Sequence, residues 1–275
     1  MTSVPPKRQN VSPRRESTFP YSKEGAQKNF DALKLPGVVA IITGAGRGIG
    51  RATAEAFAHQ GARVVLCSRT KSEIDDAVAS IEAKGGLAVG RKTDIGSPRE
   101  AEALAKFAIR RFGTIDVLIN NAGILGPRVP LAEYPLRAWN EVIRINLSGT
   151  YHMTRAVLPF MMRRGSGCIV NVTSSVGRQG RAGWGAYAIS KSGIESLTYM
   201  FAEELRPSGL RVFGFNPGGT RTRMRAAAYP EEDPSLLPEP SVAAEALVRL
   251  VRYAPSEQSG VCFDLRSVPG KTDDR

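Results

Sequence analysis

Short apolar runs alternate along this chain with longer segments in which apolar residues recur every three or four positions. A short run rich in β-branched residues is typical of a buried strand, and apolar residues at helical spacing are typical of a helix with one buried face. The pattern predicts seven strands, at 38–43, 63–68, 86–92, 115–120, 168–173, 210–215 and 260–265. It predicts helices at 46–61, 71–84, 97–112, 137–164, 185–206 and 241–253. This alternation predicts an α/β fold, a doubly wound, seven-stranded parallel sheet with helices on both faces.

Residues 1–33 differ from the rest of the chain, because Pro, Ser, Lys and Arg are frequent there and apolar periodicity is missing. Such a segment cannot bury enough apolar surface to fold, so it is expected to be a flexible basic arm. Residues 34–275 are then expected to form a single domain, within the usual size of a doubly wound fold. Inside this domain, residues 218–240 are polar and interrupted by proline. They are expected to form a lid over a substrate site.

Composition narrows the class of protein further. A hydrophobic content of 42% excludes a disordered chain, and the net charge of +12 leaves open an anionic partner. No apolar run approaches the roughly 18 residues that cross a bilayer, and no signal-peptide pattern begins the chain, so a cytoplasmic protein with no membrane partner is expected. The three cysteines have no metal-site spacing. They are expected to be buried thiols, and no metal site is expected.

A glycine-rich loop separates the first predicted strand from the first predicted helix. Gly44, Gly48 and Gly50 have the spacing GxxxGxG, which is neither GxGxxG nor a Walker loop. Glycine lets the backbone approach a ligand closely, and the N-terminus of a helix attracts phosphate. A simple turn is the alternative, but strand, loop and helix in direct succession favour a nucleotide site that includes Arg47 and Ile49.

The end of the second predicted strand discriminates between two nicotinamide cofactors. NAD sites carry an acidic residue there for the ribose 2′-hydroxyl, whereas NADP sites provide arginine for the 2′-phosphate. This chain has Ser68 and Arg69 at that position, and Arg47 in the glycine-rich loop can approach the same phosphate. Either arginine alone could be a surface charge, but together they favour NADP(H).

Candidate catalytic chemistry lies between the fifth predicted strand and the helix after it. Tyr187 and Lys191 are four residues apart, which places them on one face of a helix. An adjacent ammonium stabilises a phenolate, so Lys191 is expected to lower the pKa of Tyr187 and make it a usable proton donor. Ser174 ends the preceding apolar run and is expected to bring a second hydroxyl to the same carbonyl oxygen. A Tyr and a Lys at this spacing more often form only a solvated helix face, so the pattern gains its weight from Ser174 and the glycine-rich loop.

Together these motifs resemble the short-chain dehydrogenase/reductase family, over about residues 36–265. The residues around Ser174 and Tyr187 are most similar to a bacterial subgroup of uncharacterised oxidoreductases. The resemblance implies a Rossmann-like, NADP-binding catalytic domain and a homodimer or homotetramer built from the helices at 137–164 and 185–206. It also implies that Lys191 holds the cofactor ribose in addition to acting on Tyr187.

The resemblance extends to individual positions. Asn146 matches the family's catalytic asparagine, which holds a water in a proton relay with the lysine. The expected catalytic residues are therefore Asn146, Ser174, Tyr187 and Lys191. The motifs and the resemblance together give as expected cofactor-binding residues Gly44, Arg47, Gly48, Ile49, Gly50, Ser68, Arg69, Asp94, Ile95, Asn121, Ala122, Gly123, Tyr187, Lys191, Pro217, Gly218, Thr220 and Thr222. Asp94 and Asn120 could instead chiefly satisfy backbone groups at strand ends.

The expected function is NADP(H)-dependent interconversion of a carbonyl and a secondary alcohol, with a 3-oxoacyl thioester as one candidate substrate. An anionic or acyl-carrier-linked small molecule is favoured by six arginines in loops that should meet at one crevice, with Glu133 as the only acid close to them in sequence. These arginines are Arg128, Arg178, Arg181, Arg221, Arg223 and Arg225. They could also be ordinary surface charges. The alternative function is a non-catalytic nucleotide-binding protein that uses its basic arm on nucleic acid or an anionic surface, although nucleic acid is not the favoured partner.

Overall fold

The computed structural model describes residues 34–270. The expected basic arm at 1–33 lies outside this range, as do residues 271–275. The division of the chain into an arm and a single domain therefore stays a prediction.

Seven parallel strands form one sheet. The strands are β1 Val39–Thr43, β2 Arg63–Ser68, β3 Leu87–Lys92, β4 Val117–Asn120, β5 Gly167–Val172, β6 Leu210–Asn216 and β7 Cys262–Asp264. The α-helices are α1 Gly48–His59, α2 Lys71–Glu82, α3 Pro98–Phe112, α4 Leu136–Val142, α5 Gly149–Arg164, α6 Gly185–Leu205, α7 Arg223–Ala228 and α8 Pro240–Tyr253. The strand order is β3-β2-β1-β4-β5-β6-β7. The fold class expected from the sequence is confirmed.

The central strands are buried along their whole length because helices cover both of their faces. Every residue of β1 and β4 is buried. Helix α1 packs against α8, and α3 packs against α5. Ile41 of β1 lies in one cluster with Leu104 of α3 and Met153 of α5. Burial on both faces explains why these strands show no alternation of polar and apolar residues.

The strand order reverses at β1, which pairs with β2 on one side and with β4 on the other. Connections that run in opposite directions from such a point leave a crevice at the carboxyl ends of the strands. The glycine-rich loop follows β1, and the segment 121–123 follows β4. The fold therefore places the expected nucleotide motifs at the crevice.

The prediction of a single helix at 137–164 is wrong in detail. The chain there forms α4, a π-helical segment at Ile143–Ser148 and then α5. A π turn is wider than an α turn, so the regular 3.6-residue period on which the prediction rested slips near Asn146. Pro159 lies inside α5 without ending it.

In the part of the chain that the structure describes, no helix is long and apolar enough to cross a membrane. The same residues contain no group of three or more His, Cys, Asp or Glu side chains placed to hold a metal ion. Cys67 and Cys168 are free and buried as expected, whereas Cys262 is partly exposed.

Candidate active site

A cleft of about 780 Å³ opens where β1, β4, β5 and β6 end. Most of the site residues expected from the sequence line it. They are Gly44, Arg47, Gly48, Ile49, Ser68, Arg69, Asp94, Ile95, Asn121, Ala122, Gly123, Ser174, Tyr187, Lys191, Pro217, Gly218, Thr220 and Thr222. Gly50 and Asn146 do not line the cleft, but each packs against residues that do.

The glycine-rich loop packs without room for side chains. Gly44 and Gly48 have φ angles of 64° and 56°, which glycine adopts readily. A Cβ atom at Gly44 would lie 2.8 Å from the Cα of Ala122, and one at Gly50 would lie 2.3 Å from the carbonyl oxygen of Gly44. Gly50 therefore shapes the loop through close packing rather than through contact with the cleft.

Thr43 joins the two sides of the crevice, a role that the sequence analysis missed. Its hydroxyl accepts hydrogen bonds from the backbone N–H groups of Asn121 and Ala122, each at 3.0 Å. The same hydroxyl donates to the carbonyl oxygen of Ile119 at 3.3 Å. The Asn121 side chain donates in return to the backbone carbonyl of Thr43 at 2.9 Å. A threonine directly before the first glycine is the sequence signal that could have identified it.

The N-terminus of α1 suits a pyrophosphate. Its first turn contains no acidic residue, and no side chain caps it. The first N–H groups of a helix have no partner within the helix, and they carry a partial positive charge. A Cβ atom on Gly48 would lie at the ordinary contact distance of 3.4 Å from the methyl group of Thr222, so Thr222 lies close to this helix N-terminus. These residues fit a dinucleotide cofactor.

Each arginine expected at the 2′-phosphate has an acidic partner. Nη1 of Arg47 lies 3.0 Å from Oε1 of Glu73, and Nη1 of Arg69 lies 3.2 Å from Oε1 of Glu141. Both arginine side chains are more than half exposed, so both remain accessible to a phosphate, and such pairs contribute little to stability. Glu73 also lines the cleft. Sequence reasoning missed it because it belongs to α2, beyond the strand end at which NAD and NADP sites are distinguished.

Asp94 accepts a hydrogen bond from a backbone group and also lines the cleft, and its contact with a cofactor stays a prediction. Its Oδ1 accepts a hydrogen bond from the backbone of Gly96 at 2.9 Å, as expected for a residue that ends a strand. Its Oδ2 forms an ion pair of 2.9 Å with Arg144, and Asp94 also lines the cleft. Arg144 binds Glu141 as well, and this hydrogen bond holds the pKa of Glu141 below its usual value.

Tyr187 and Lys191 lie on one face of α6 and are almost entirely buried. The Lys191 Nζ donates to the backbone carbonyl of Val172 at 2.7 Å and lies 5.7 Å from the centroid of the Tyr187 ring. Burial raises the pKa of Tyr187 to about 12, against a smaller lowering by the nearby Ser174 hydroxyl. Burial lowers the pKa of Lys191 to about 8. The net pKa of Tyr187 in the protein by itself is therefore raised and not lowered as expected from the sequence, because desolvation outweighs the stabilisation of the phenolate by its neighbours.

Ser174 lies two residues after the end of β5 and immediately precedes a single 3₁₀ turn, Ser175–Gly177. A Cβ atom on Gly177 would lie 2.8 Å from the backbone of α6 at Lys191, so the turn packs directly on the helix. This close packing brings the Ser174 hydroxyl to Tyr187, as expected from the sequence. Both hydroxyls therefore border the same part of the cleft.

Asn146 is fully buried in the π-helical segment. Its Nδ2 donates to the carbonyl oxygen of Ile124 and to the hydroxyl of Ser190, each at 3.0 Å, and its Oδ1 accepts from the N–H of Ile124 at 2.8 Å. Ser190 in turn donates to the carbonyl oxygen of Tyr187 at 2.7 Å. Asn146 thus ties the segment after β4 to the helix that carries Tyr187. Its place in a water relay with Lys191 stays a prediction.

Four of the six arginines expected to gather at the mouth of the cleft pair with carboxylates. The pairs are Arg178 with Glu195 and Asp264, Arg221 with Glu239, Arg223 with Glu73, and Arg225 with Glu232. The interpretation of the mouth as a positive field with Glu133 as the only acid close to the arginines in sequence is therefore wrong. Carboxylates pair with these arginines both from within 218–240 and from distant segments. Among residues 34–270, Arg128 and Arg181 have no carboxylate within ion-pair distance.

The wall of the cleft beside Tyr187 is apolar. Trp184, which immediately precedes α6, is buried, and its ring centroid lies 5.6 Å from that of Tyr187. Ala228 and Met224 from α7 and Leu125 from the segment after β4 belong to the same cluster and line the cleft. The sequence analysis missed this wall, for which a tryptophan close to Tyr187 was the only local signal.

Comparisons with known proteins are consistent with this geometry. The sequence pattern of the family described as short chain dehydrogenase matches residues 38–233. The chain is 34% identical over 240 residues to the uncharacterized oxidoreductase YciK of Escherichia coli K12, covering 85% of this chain and 92% of that protein. It is 38% identical over 191 residues to a 3-oxoacyl-[acyl-carrier-protein] reductase of Synechocystis, covering 69% and 77%. A crystal structure of a short chain dehydrogenase of Shigella flexneri complexed with NADP is similar at a TM-score of 0.80 and 35% identity, covering 84% of this chain and 98% of that one.

Proposed function

Because this chain belongs to the short-chain dehydrogenase family, we propose that it is an NADP(H)-dependent oxidoreductase that interconverts a carbonyl and a secondary alcohol. The observation that carries this proposal is the meeting of Ser174, Tyr187 and Lys191 in one cleft with the glycine-rich loop. Two hydroxyl donors and a buried amine beside a dinucleotide site suit proton transfer coupled to hydride transfer.

The chain's own residues define where the cofactor would be held. The glycine-rich loop and the N-terminus of α1 would hold the pyrophosphate, and Arg47 and Arg69 would hold the 2′-phosphate. Tyr187 and Lys191 would hold the ribose next to the nicotinamide, and residues 217–222 would hold the nicotinamide amide. The similar Shigella flexneri protein, which is complexed with NADP, supports NADP over NAD. When bound, the cofactor supplies the hydride for reduction and accepts it in oxidation.

The protein's part in reduction is to deliver a proton. Tyr187 donates its proton to the carbonyl oxygen, and the Ser174 hydroxyl donates a hydrogen bond to the same oxygen. With a pKa of about 12, Tyr187 keeps its proton at neutral pH until the substrate oxygen becomes basic enough to take it. Lys191, with a pKa of about 8, is mostly protonated at neutral pH and stabilises the phenolate that remains.

The substrate that this site favours has an apolar group beside its carbonyl carbon. Trp184, Leu125 and Met224 offer that group a surface away from water. A 3-oxoacyl thioester is the leading candidate, because its acyl chain is apolar and the similar Synechocystis protein is a 3-oxoacyl-[acyl-carrier-protein] reductase. The anionic carrier group of such a substrate would then lie outside the apolar wall, near Arg181, which is exposed and precedes Trp184 by three residues.

A homodimer or homotetramer is part of the same proposal. Tyr151 and Met162 of α5 and Tyr199 and Met200 of α6 are 42, 50, 51 and 59% exposed. Tyr151 and Met200 line one shallow depression together with Leu147. Exposed apolar surface of this kind marks a contact surface, and it lies on the helices expected to form the interface. The cytoplasmic location expected from the sequence also stays a prediction.

Oxidation of NADPH in the presence of ketones, quinones and 3-oxoacyl thioesters, followed by absorbance, tests the proposal. Tyr187→Phe should abolish turnover and leave NADPH affinity nearly unchanged, because it removes the donated proton and little else. Tyr199→Phe, at an exposed position of the same helix, is the matched control and should retain turnover. Turnover by Tyr187→Phe at the rate of the unmodified enzyme would overturn the assignment of the acid. Salt-sensitive binding of nucleic acid by a chain that reduces no carbonyl would favour the non-catalytic alternative.

A further inference from the structure

The guanidinium of Arg128 lies against two aromatic rings from different parts of the chain. Its Cζ is 4.5 Å from the centroid of Trp184 and 5.2 Å from that of Tyr229, and the two ring centroids are 5.9 Å apart. Its Nη1 also donates a hydrogen bond of 2.5 Å to the carbonyl oxygen of Ala228. Arg128 belongs to the segment after β4, Trp184 precedes α6, and Tyr229 follows α7. One side chain therefore joins three separate segments that border the cleft.

These contacts take the place of an ion pair. Among the described residues, the partners of Arg128 are the two rings and one backbone carbonyl. On the lid side, Tyr229 is also contacted by Arg225, whose Cζ lies 3.9 Å from the ring centroid and which is held by Glu232. Because Arg225 and Glu232 both belong to the lid segment, they cannot attach it to the rest of the protein. Arg128 lies outside this segment, so its cation–π contact with Tyr229 attaches the segment to the rest of the protein.

The attachment lies at the edge of the apolar wall. Trp184 and Ala228, the residues that Arg128 contacts, both line the cleft, and Trp184 packs beside Tyr187. Arg128 itself is not among the cleft-lining residues. It therefore acts on the pocket through its neighbours and does not touch the position of the substrate.

We propose that Arg128 is a positioning residue that clasps α7 and Tyr229 to Trp184 and thereby sets the width of the apolar pocket over Tyr187. The inference rests on the proposed function, because it assumes that this pocket receives a carbonyl substrate. Loss of the clasp leaves Ser174 and Tyr187 in place but lets α7 move away from Trp184. Substrate binding then weakens, while the chemical step changes little.

Steady-state kinetics with a reducible carbonyl test this role. Arg128→Ala should raise KM about three- to tenfold, change kcat by less than about twofold and leave NADPH affinity unchanged. Arg128→Lys should give an intermediate KM, because its ammonium keeps the charge but loses the planar stacking surface and the forked donors. Arg137→Ala is the control, because Arg137 is exposed on the nearby α4 and has no ring or ion-pair contact within residues 34–270. An unchanged KM in Arg128→Ala would overturn the proposal. So would a joint loss of kcat, NADPH affinity and melting temperature, which would show a general structural role.

Hydrogen exchange of the full chain without substrate provides a readout that does not depend on activity. Arg128→Ala should speed amide exchange in 223–229 and leave exchange in β5 and α6 unchanged, and Arg128→Lys should restore part of the protection. Unchanged exchange in 223–229 would contradict the clasp. If exchange there rises as expected but the unmodified protein reduces no carbonyl, the clasp is supported and the proposed function fails.

Discussion

The Lys191 Nζ lies 5.7 Å from the centroid of the Tyr187 ring, with both side chains withdrawn from water on one face of α6. Burial favours the uncharged form of each. It raises the pKa of the phenol to about 12 and lowers the pKa of the amine to about 8. The two shifts have opposite consequences for stability at alkaline pH.

We expect the free energy of unfolding of the cofactor-free protein to rise between about pH 8 and pH 10 because of Lys191. In this interval the unfolded chain, with a lysine pKa of 10.5, binds a proton that the folded chain does not, so a rise in pH favours folding. The full effect is about 3 kcal/mol. Above pH 10 the contribution of Tyr187 has the opposite sign, because the unfolded phenol loses its proton at 10.0 and the folded one keeps it to about 12.

Denaturant unfolding of the unmodified protein and of Lys191→Met across this pH range measures the effect. The stability of the unmodified protein relative to the variant should increase with pH. Parallel pH profiles for the two proteins would contradict a buried lysine with a lowered pKa.

Glu73 is expected to oppose NADPH binding, because it pairs with Arg47 and adds a negative charge beside the 2′-phosphate. Glu73→Gln should tighten NADPH binding about three- to tenfold and change NADH binding less. The unmodified protein should prefer NADPH over NADH by at least about tenfold, and Arg47→Ala combined with Arg69→Ala should remove the preference. Fluorescence titration with both cofactors measures this, with Glu82→Gln at the exposed end of α2 as the control. An equal gain for NADH would show that Glu73 does not act on the phosphate.

A methyl group at position 50 is expected to destroy the cofactor site. The added Cβ would lie 2.3 Å from the carbonyl oxygen of Gly44 and 2.5 Å from Nδ2 of Asn121, so the loop must move away. Gly50→Ala should weaken NADPH binding at least about tenfold and cost about 1 to 3 kcal/mol of stability. Calorimetric titration measures the affinity. Gly270→Ala is the control, because no residue within 34–270 lies within 4 Å of the added atom. Unchanged affinity in Gly50→Ala would show that this loop does not hold the cofactor.

Met200→Glu is expected to dissociate the proposed homo-oligomer. The position is 59% exposed on α6, so the charge is tolerated in a monomer but is buried without a partner in an interface that uses this helix. Light scattering coupled to gel filtration should show a dimer or tetramer for the unmodified chain and a monomer for the variant. Leu236→Glu, at an exposed position within residues 218–240, should retain the assembly. A monomeric unmodified chain, or an unchanged mass in Met200→Glu, would reject this interface.

The order of the elements and the type of fold could be predicted from the sequence, because burial leaves its period in the residues of each element. The apolar runs of β1 and β4 required cover on both faces, and the parallel sheet is confirmed. Tyr187 and Lys191 share a helix face, and the glycine spacing marks a loop whose backbone packs closely. Both motifs depend on residues that are close together in the sequence. They carry the family membership, which the comparisons confirm. The helix at 137–164 is the exception, since its π turn lies where Asn146 binds Ile124, a contact between separate segments.

Only the tertiary structure decided which charges meet and which groups lose their water. Arg178 pairs with Asp264, 86 residues away in the chain, and Arg128 finds its partners in Trp184 and Tyr229. The pKa of Tyr187 is raised rather than lowered because the folded chain surrounds the ring with apolar groups such as Trp184. Residue spacing reports on neighbours within a turn of helix or along a strand. Desolvation and ion pairing depend on surfaces that distant segments form together, and those surfaces exist only once the chain has folded.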